Sequence, residues 1–210
     1  MGEFLDRVGG FLAEPQGIIQ VVATLLLYPV LFALIGALLW AVYQIGAYTV
    51  EAWRRRKGRK DLDIEALCTD LAAAPDAVAA AGLLGKLGYS PVTGPAVTAL
   101  ATQGLTRIRA LKVLSDAEQY AARRIDRTRI FIRLGPILGL MGTLIPISPA
   151  LVALAKGDIE TLSANLVVAF STTVVGLFVG AIAYLISLGR ERNYTQDLTD
   201  LEYVLERAGV

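Results

Sequence analysis

From Ile18 to Val50 the chain carries no charged side chain. That run exceeds the roughly 20 apolar residues that suffice to cross the hydrocarbon core of a bilayer, so it is expected to span once, with tilt or overhang taking up the excess. A second apolar block runs from about Ile130 to Leu154 with only Arg133 near its start, and a third, free of charge, from about Leu162 to Leu188. Backbone polar groups in lipid must be satisfied internally, so each block is a helix. The polar stretch Ala155 to Thr161 between the last two is short enough to require an antiparallel helical hairpin.

Orientation follows from the cations near the helix ends. WRRRKGRK (Trp53 to Lys60) follows the first block and RRIDRTRIFIR (Arg123 to Arg133) leads into the second, whereas the other ends are poor in Lys and Arg. The expected fold class is all-α: a polytopic membrane protein with three transmembrane helices and a helical cytoplasmic region. Its parts are an extracytoplasmic amphipathic segment (1–17), transmembrane helices at 18–50, 130–154 and 162–188, a cytoplasmic loop (51–129), an outside linker (155–161) and a cytoplasmic C-terminal helix (189–210). The N-terminus lies outside a cell (inner) membrane and the C-terminus in the cytoplasm. Arg54, Arg55, Arg56 and Lys57 are expected to set this topology and to meet anionic lipid headgroups.

The acidic start of the chain lacks the basic n-region of a secretory signal. Phe4, Leu5, Val8, Phe11 and Leu12 recur at helical spacing, as in a helix lying on the membrane surface.

Within the cytoplasmic loop, Asp63 and Asp76 are candidate helix N-caps, GYSPVTGP (Gly88 to Pro95) interrupts the chain, and one long helix is expected from Ala96 into the second span. Leu105, Ile108, Leu111, Val113 and Leu114 are read as its packed face. In the tail, Leu198, Leu201, Val204 and Leu205 share a face expected to dock on the cytoplasmic bundle, with Asp197, Asp200, Glu202 and Glu206 largely on other faces.

With no histidine and one cysteine, Cys68, a His-based metal site, a Ser-His triad and an intrachain disulfide are excluded. Gly82, Gly85 and Gly88 lack the strand context and Lys-Ser/Thr ending of a P-loop. No cofactor is expected. The basic runs are accounted for by topology and lipid, not nucleic acid, and the loop's acidic residues, set among Arg and Lys, read as solvated faces with no catalytic constellation.

The hairpin holds the chemistry. In LGPILGLMGTLIPISPA (134–150), Gly135, Gly139, Gly142, Thr143, Pro146 and Ala150 recur at steps of three and four and share one face; in the third block Ala169, Thr173, Gly176, Gly180 and Ala183 do the same. Small faces allow close approach of helices in lipid. Pro146 and Pro149 are expected to kink the second span or end it near the outer surface. The hydroxyls of Ser171, Thr172 and Thr173 can each bond a carbonyl one turn back; alternatively Thr143 and Thr173, with Thr172, line a common polar path. No Asp, Glu, His or Lys lies in the cores of the spans, so the chain cannot relay protons alone.

LGPILGLMGTLIP followed by STTVVGLFVGAIAYLI resembles the MotA/TolQ/ExbB proton channel family. The resemblance implies a ring-forming homo-oligomer, a pentamer, around a dimer of a single-span ExbD/TolR/MotB-like partner whose transmembrane Asp carries the proton. It also implies that Thr143 and Thr173 face that Asp. The short cytoplasmic loop favours the ExbB/TolQ-like branch. The alternative is a non-conducting scaffold that assembles a partner, for which the glycine faces serve packing alone.

Overall fold

The computed structural model describes residues 15–60, 62–74, 77–103 and 106–207. These form α1 (Pro15–Lys60), α2 (Ile64–Ala72), α3 (Ala77–Leu84), a 3-10 turn (Gly85–Leu87), α4 (Thr93–Gln103), α5 (Arg107–Ala155) and α6 (Ile159–Arg207). The described residues are all helix and connection, and α1, α5 and α6 are long and apolar enough to cross a membrane. With 46, 49 and 49 residues, each runs for about 70 Å at 1.5 Å per residue. That is more than twice a hydrocarbon core of about 30 Å.

Two compact units form, one from residues up to Val42 with Phe131–Ala183, the other from Tyr43–Ile130 with Tyr184–Val210. The apolar unit has the packing order of a membrane bundle. Small residues lie inside on α5 and α6, while Ile137, Leu140, Leu144, Ile147 and Leu151 of α5 and Val167, Phe170, Val174 and Leu177 of α6 face outward. On α1, Val30, Leu34, Ala37 and Ala41 are buried, and Trp40 stacks on Phe131 with ring centroids 3.7 Å apart.

The hairpin turn is tighter than the polar stretch suggested: only Lys156 to Asp158 separate the helices. The Asp158 N–H bonds the Ala153 carbonyl at 2.9 Å and the Gly157 N–H that of Leu154 at 3.0 Å, the 6→1 and 5→2 pattern of a Schellman motif. Gly157 supplies the positive φ, 75°, that this ending needs. Asp158 then accepts from the Thr161 N–H at 3.0 Å, which starts α6.

In the second unit Asp63 caps α2, accepting from the N–H groups of Glu65 and Ala66. Leu67, Cys68 and Leu71 of α2 share a core with Leu84, Leu87, Val97 and Leu100 from the following elements and with Ala110, Ala117, Ala121 and Ile125 of α5. Tyr194, Leu201, Val204 and Leu205 complete it from α6.

Several expectations are corrected. The helix expected to run unbroken from Ala96 is two helices: α4 ends at Gln103 and α5 starts at Arg107, with Thr106 outside both. The break at GYSPVTGP is shorter than expected. Pro95 already lies in the first turn of α4, where a missing N–H costs no helical bond. The packed face of α5 is formed by Ala110, Ala117, Ala121 and Ile125, with Val113 and Leu114 packed against it as expected, while Ile108 and Leu111 are exposed and Leu105 lies outside the described residues. Nor do Pro146 and Pro149 end the helix, since α5 passes through them and Pro136 to Ala155. The helix expected at 1–17 and the cap expected of Asp76 lie outside the described residues, except that Pro15–Gly17 belong to α1.

Candidate functional site

The face predicted on α5 and the face predicted on α6 meet each other. A Cβ built on Gly135 would lie 2.6 Å from the Gly176 carbonyl oxygen, and one on Gly176 would lie 2.5 Å from the Gly135 carbonyl oxygen and 2.7 Å from the Gly139 Cα. One on Gly139 would meet the Thr172 carbonyl oxygen at 3.1 Å, and one on Gly142 the Thr172 Cβ at 2.6 Å. The partner positions fall as those on α5 rise, so the helices are antiparallel. Gly180 provides the space for the Pro136 ring, whose Cδ would lie 3.0 Å from an added Cβ. Pro146, Ala150 and Ala169 are also buried. Backbones this close allow dispersion contacts that larger side chains would prevent.

The structure distinguishes the threonines. Thr172, not Thr173, is the buried hydroxyl of the seam, set against Gly142. Thr143 and Thr173 are half-buried, at the margin of the small faces. All three hydroxyls donate within their own helix: Thr143 Oγ1 to the Leu140 carbonyl at 2.7 Å, and Thr172 and Thr173 to the Ala169 carbonyl at 2.9 and 3.3 Å. Each oxygen retains acceptor capacity, so each can still receive a proton-bearing donor. From Leu134 to Ala155 and from Leu162 to Gly189 no residue is ionisable apart from Tyr184, and Tyr184 is exposed, away from the seam.

The model of the MotA/TolQ/ExbB proton channel family matches residues 99–202, which contain the whole seam. This chain belongs to that family. Comparison with curated proteins and with solved structures gave no match. As a family member with three helices able to span, it is a multi-pass membrane protein of a proton-channel family, and among its described residues no cluster of His, Cys, Asp or Glu could hold a metal ion.

This family member also holds a polar cluster that the sequence reading missed. Glu51 is almost fully buried between Arg124, whose Nη2 lies 3.3 Å from Oε2, and Arg190, whose Nε lies 3.4 Å from the same oxygen; the Tyr194 hydroxyl donates to its Oε1. Arg190 also donates to Thr128 Oγ1 at 3.0 Å. A turn further along α1, Arg55 pairs with the buried Asp197 at 2.9 Å, and Tyr89 donates to the same carboxylate at 3.3 Å; Arg59 faces Asp200 at 3.2 Å. Arg55 therefore does not reach headgroups as expected: it is turned inward, while Arg54, Arg56 and Lys57 are exposed. Likewise Asp197, expected largely on another face than the tail's apolar residues, is buried with them.

Burial, then Glu51, holds the Tyr194 hydroxyl well above the ordinary tyrosine value. Burial, then Asp197, does the same for Tyr89. Burial works against the Arg124 charge, but Tyr194 and Glu51 outweigh it and its pKa is raised. Burial also raises Asp200, against the pull of Arg59. A signal was available in the sequence: Glu51, Arg55 and Arg59 recur every four residues, and Arg190, Tyr194 and Asp197 are in phase with Leu201, Val204 and Leu205.

Proposed function

We propose that this chain is the ring-forming subunit of an ion-driven, proton-fed membrane motor of the ExbB/TolQ-like branch, turning an ion gradient into movement of a single-span ExbD/TolR/MotB-like partner. Copies of this chain assemble as a pentamer in the inner membrane, with the N-terminus outside and the C-terminus in the cytoplasm. The one-sided distribution of Lys and Arg supports that orientation. The carrying observation is the joint presence of threonine hydroxyls on and beside the α5–α6 seam and absence of any carboxylate there. A proton crossing a membrane interior needs a group that binds and releases it, so the carrier is an Asp in the partner's transmembrane helix. Thr143, Thr173 and Thr172 offer hydroxyl oxygens along its path.

The test is proton flux in liposomes holding the chain with its partner. Thr173→Val, which keeps the side chain's shape and removes the hydroxyl, is expected to lower partner-dependent flux about tenfold, equivalent to ~1.4 kcal/mol of barrier; undiminished flux removes Thr173 from the pathway. One observation favours the second reading, a non-conducting scaffold: the small faces are already engaged with each other and the hydroxyls already bonded within their helices. A fully assembled wild-type complex without flux under an imposed gradient would decide for it.

A further inference from the structure

Beside α1, where its charge-free run ends, lies a cavity of about 290 Å³. This is near the lower limit of ligand pockets, about 300 Å³, and suits a headgroup rather than a whole lipid. One wall is apolar, Ala47 and Val50; the next turn of the same helix contributes Arg54, and α5 contributes Arg124. The opposite wall is the turn carrying Tyr89 and Ser90. That wall is held firmly against α1, because Gly58 has no side chain and Tyr89 occupies the place a Cβ would take, while the Tyr89 hydroxyl is anchored on Asp197.

The electrostatics favour an anion. Glu51 also lines the cavity, but its carboxylate is engaged by Arg124, Arg190 and Tyr194. One carboxylate thus stands against three guanidinium groups, Arg54, Arg124 and Arg190. Arg54 is exposed and enters no ion pair among the described residues. The apolar wall points to what carries the anion. Ala47 and Val50 belong to the stretch read as membrane-spanning, and Trp53, exposed with the Lys57 ammonium 5.7 Å from its ring, stands one turn on, where aromatic side chains mark the membrane interface.

We infer that this cavity binds the headgroup of an anionic phospholipid, its phosphate between Arg54 and Arg124 and its glycerol end along Ala47 and Val50. The inference rests on the reading that α1 crosses the membrane up to Val50. Cysteine accessibility tests that reading separately: with Cys68 replaced, cysteines introduced at Ile18 and at Lys60 are expected to react with a membrane-impermeant maleimide from opposite sides of the membrane, and labelling of both from one side refutes the span, whatever the cavity binds.

The cavity itself is tested by native mass spectrometry of the detergent-purified chain with added phosphatidylglycerol or phosphatidylcholine, comparing Arg54→Glu with Arg192→Glu, an exposed cation of α6 outside the cavity. The expected result is selective retention of phosphatidylglycerol by the wild type and Arg192→Glu, and about tenfold less by Arg54→Glu, as for loss of one charge-assisted contact. Equal losses in both variants, or equal retention of both lipids, overturn the inference. Glycerol 3-phosphate at millimolar concentration is expected not to displace the lipid; Arg54-dependent binding of glycerol 3-phosphate without lipid retention would overturn the lipid assignment in favour of a soluble phosphate ester.

Discussion

Tyr194 is hydrophobic for most of its area and polar at one atom, and the fold uses both parts. Its ring belongs to the core of the second unit, while its hydroxyl donates to Glu51. An unfolded tyrosine ionises near 10.0, whereas burial and Glu51 place the folded value higher. As pH rises through 10 the unfolded chain releases its proton first, so the contribution of this group to stability is complete below 10 and is lost as pH climbs towards the folded value. Tyr194→Phe is therefore expected to cost about 2 kcal/mol at neutral pH, the hydrogen bond to a charged group. It should also flatten the fall in stability above about pH 10, only partly, since Tyr89 is raised as well. Thermal melting in detergent followed by tryptophan fluorescence reads both effects. An unchanged alkaline slope would mean that the Tyr194 proton is not held by the fold.

Helix pairing in the hairpin depends on the absence of side chains. On α6, Gly176→Val would push a side chain into the Gly135 carbonyl and the Gly139 backbone, and neither can rotate away. The expected loss is about 3 kcal/mol, the upper range for overpacking, seen as a lowered melting temperature and poor recovery from the membrane. Gly36→Val on α1, where nothing lies within 4 Å of an added Cβ, is the matched control and should change stability by no more than about 0.5 kcal/mol. Comparable losses in both variants would show that the cost comes from changing a membrane glycine rather than from the seam. The prolines behave differently from a soluble helix: Pro136 finds its ring space over Gly180, and α5 continues through all three because the adjacent helix can accommodate what a lone helix would not.

For the whole molecule, the consequential features are an apolar unit covered with large side chains and an interior that lacks an acid. A subunit of this kind is incomplete as a proton path. Affinity purification of the tagged chain from its native membrane, in mild detergent with mass spectrometry, is expected to recover a single-span protein with an Asp in its membrane helix, and that partner's soluble domain would identify the process served. Recovery of this chain with no such partner would remove the carrier the motor reading requires and leave the scaffold.

The sequence by itself determined the helical class, the three apolar helices, the hairpin, the small faces and the family, because these depend on local properties: charge-free length, helical period and the positions of glycines. Lipid strengthens this local control, since a backbone without water has few alternatives to a helix. Tertiary structure decided what depended on neighbours. Thr172 rather than Thr173 entered the seam because a difference of one residue, about 100° of helix rotation, is settled only by how α5 and α6 interlock. Arg55 was expected at the lipid headgroups and Asp197 away from the packed face, and Glu51 and Arg190 drew no reading of their own, because composition records the number of charges but not their partners. A charge leaves water only when its counter-charge is brought to it, and the counter-charges lie more than 70 residues away along the chain.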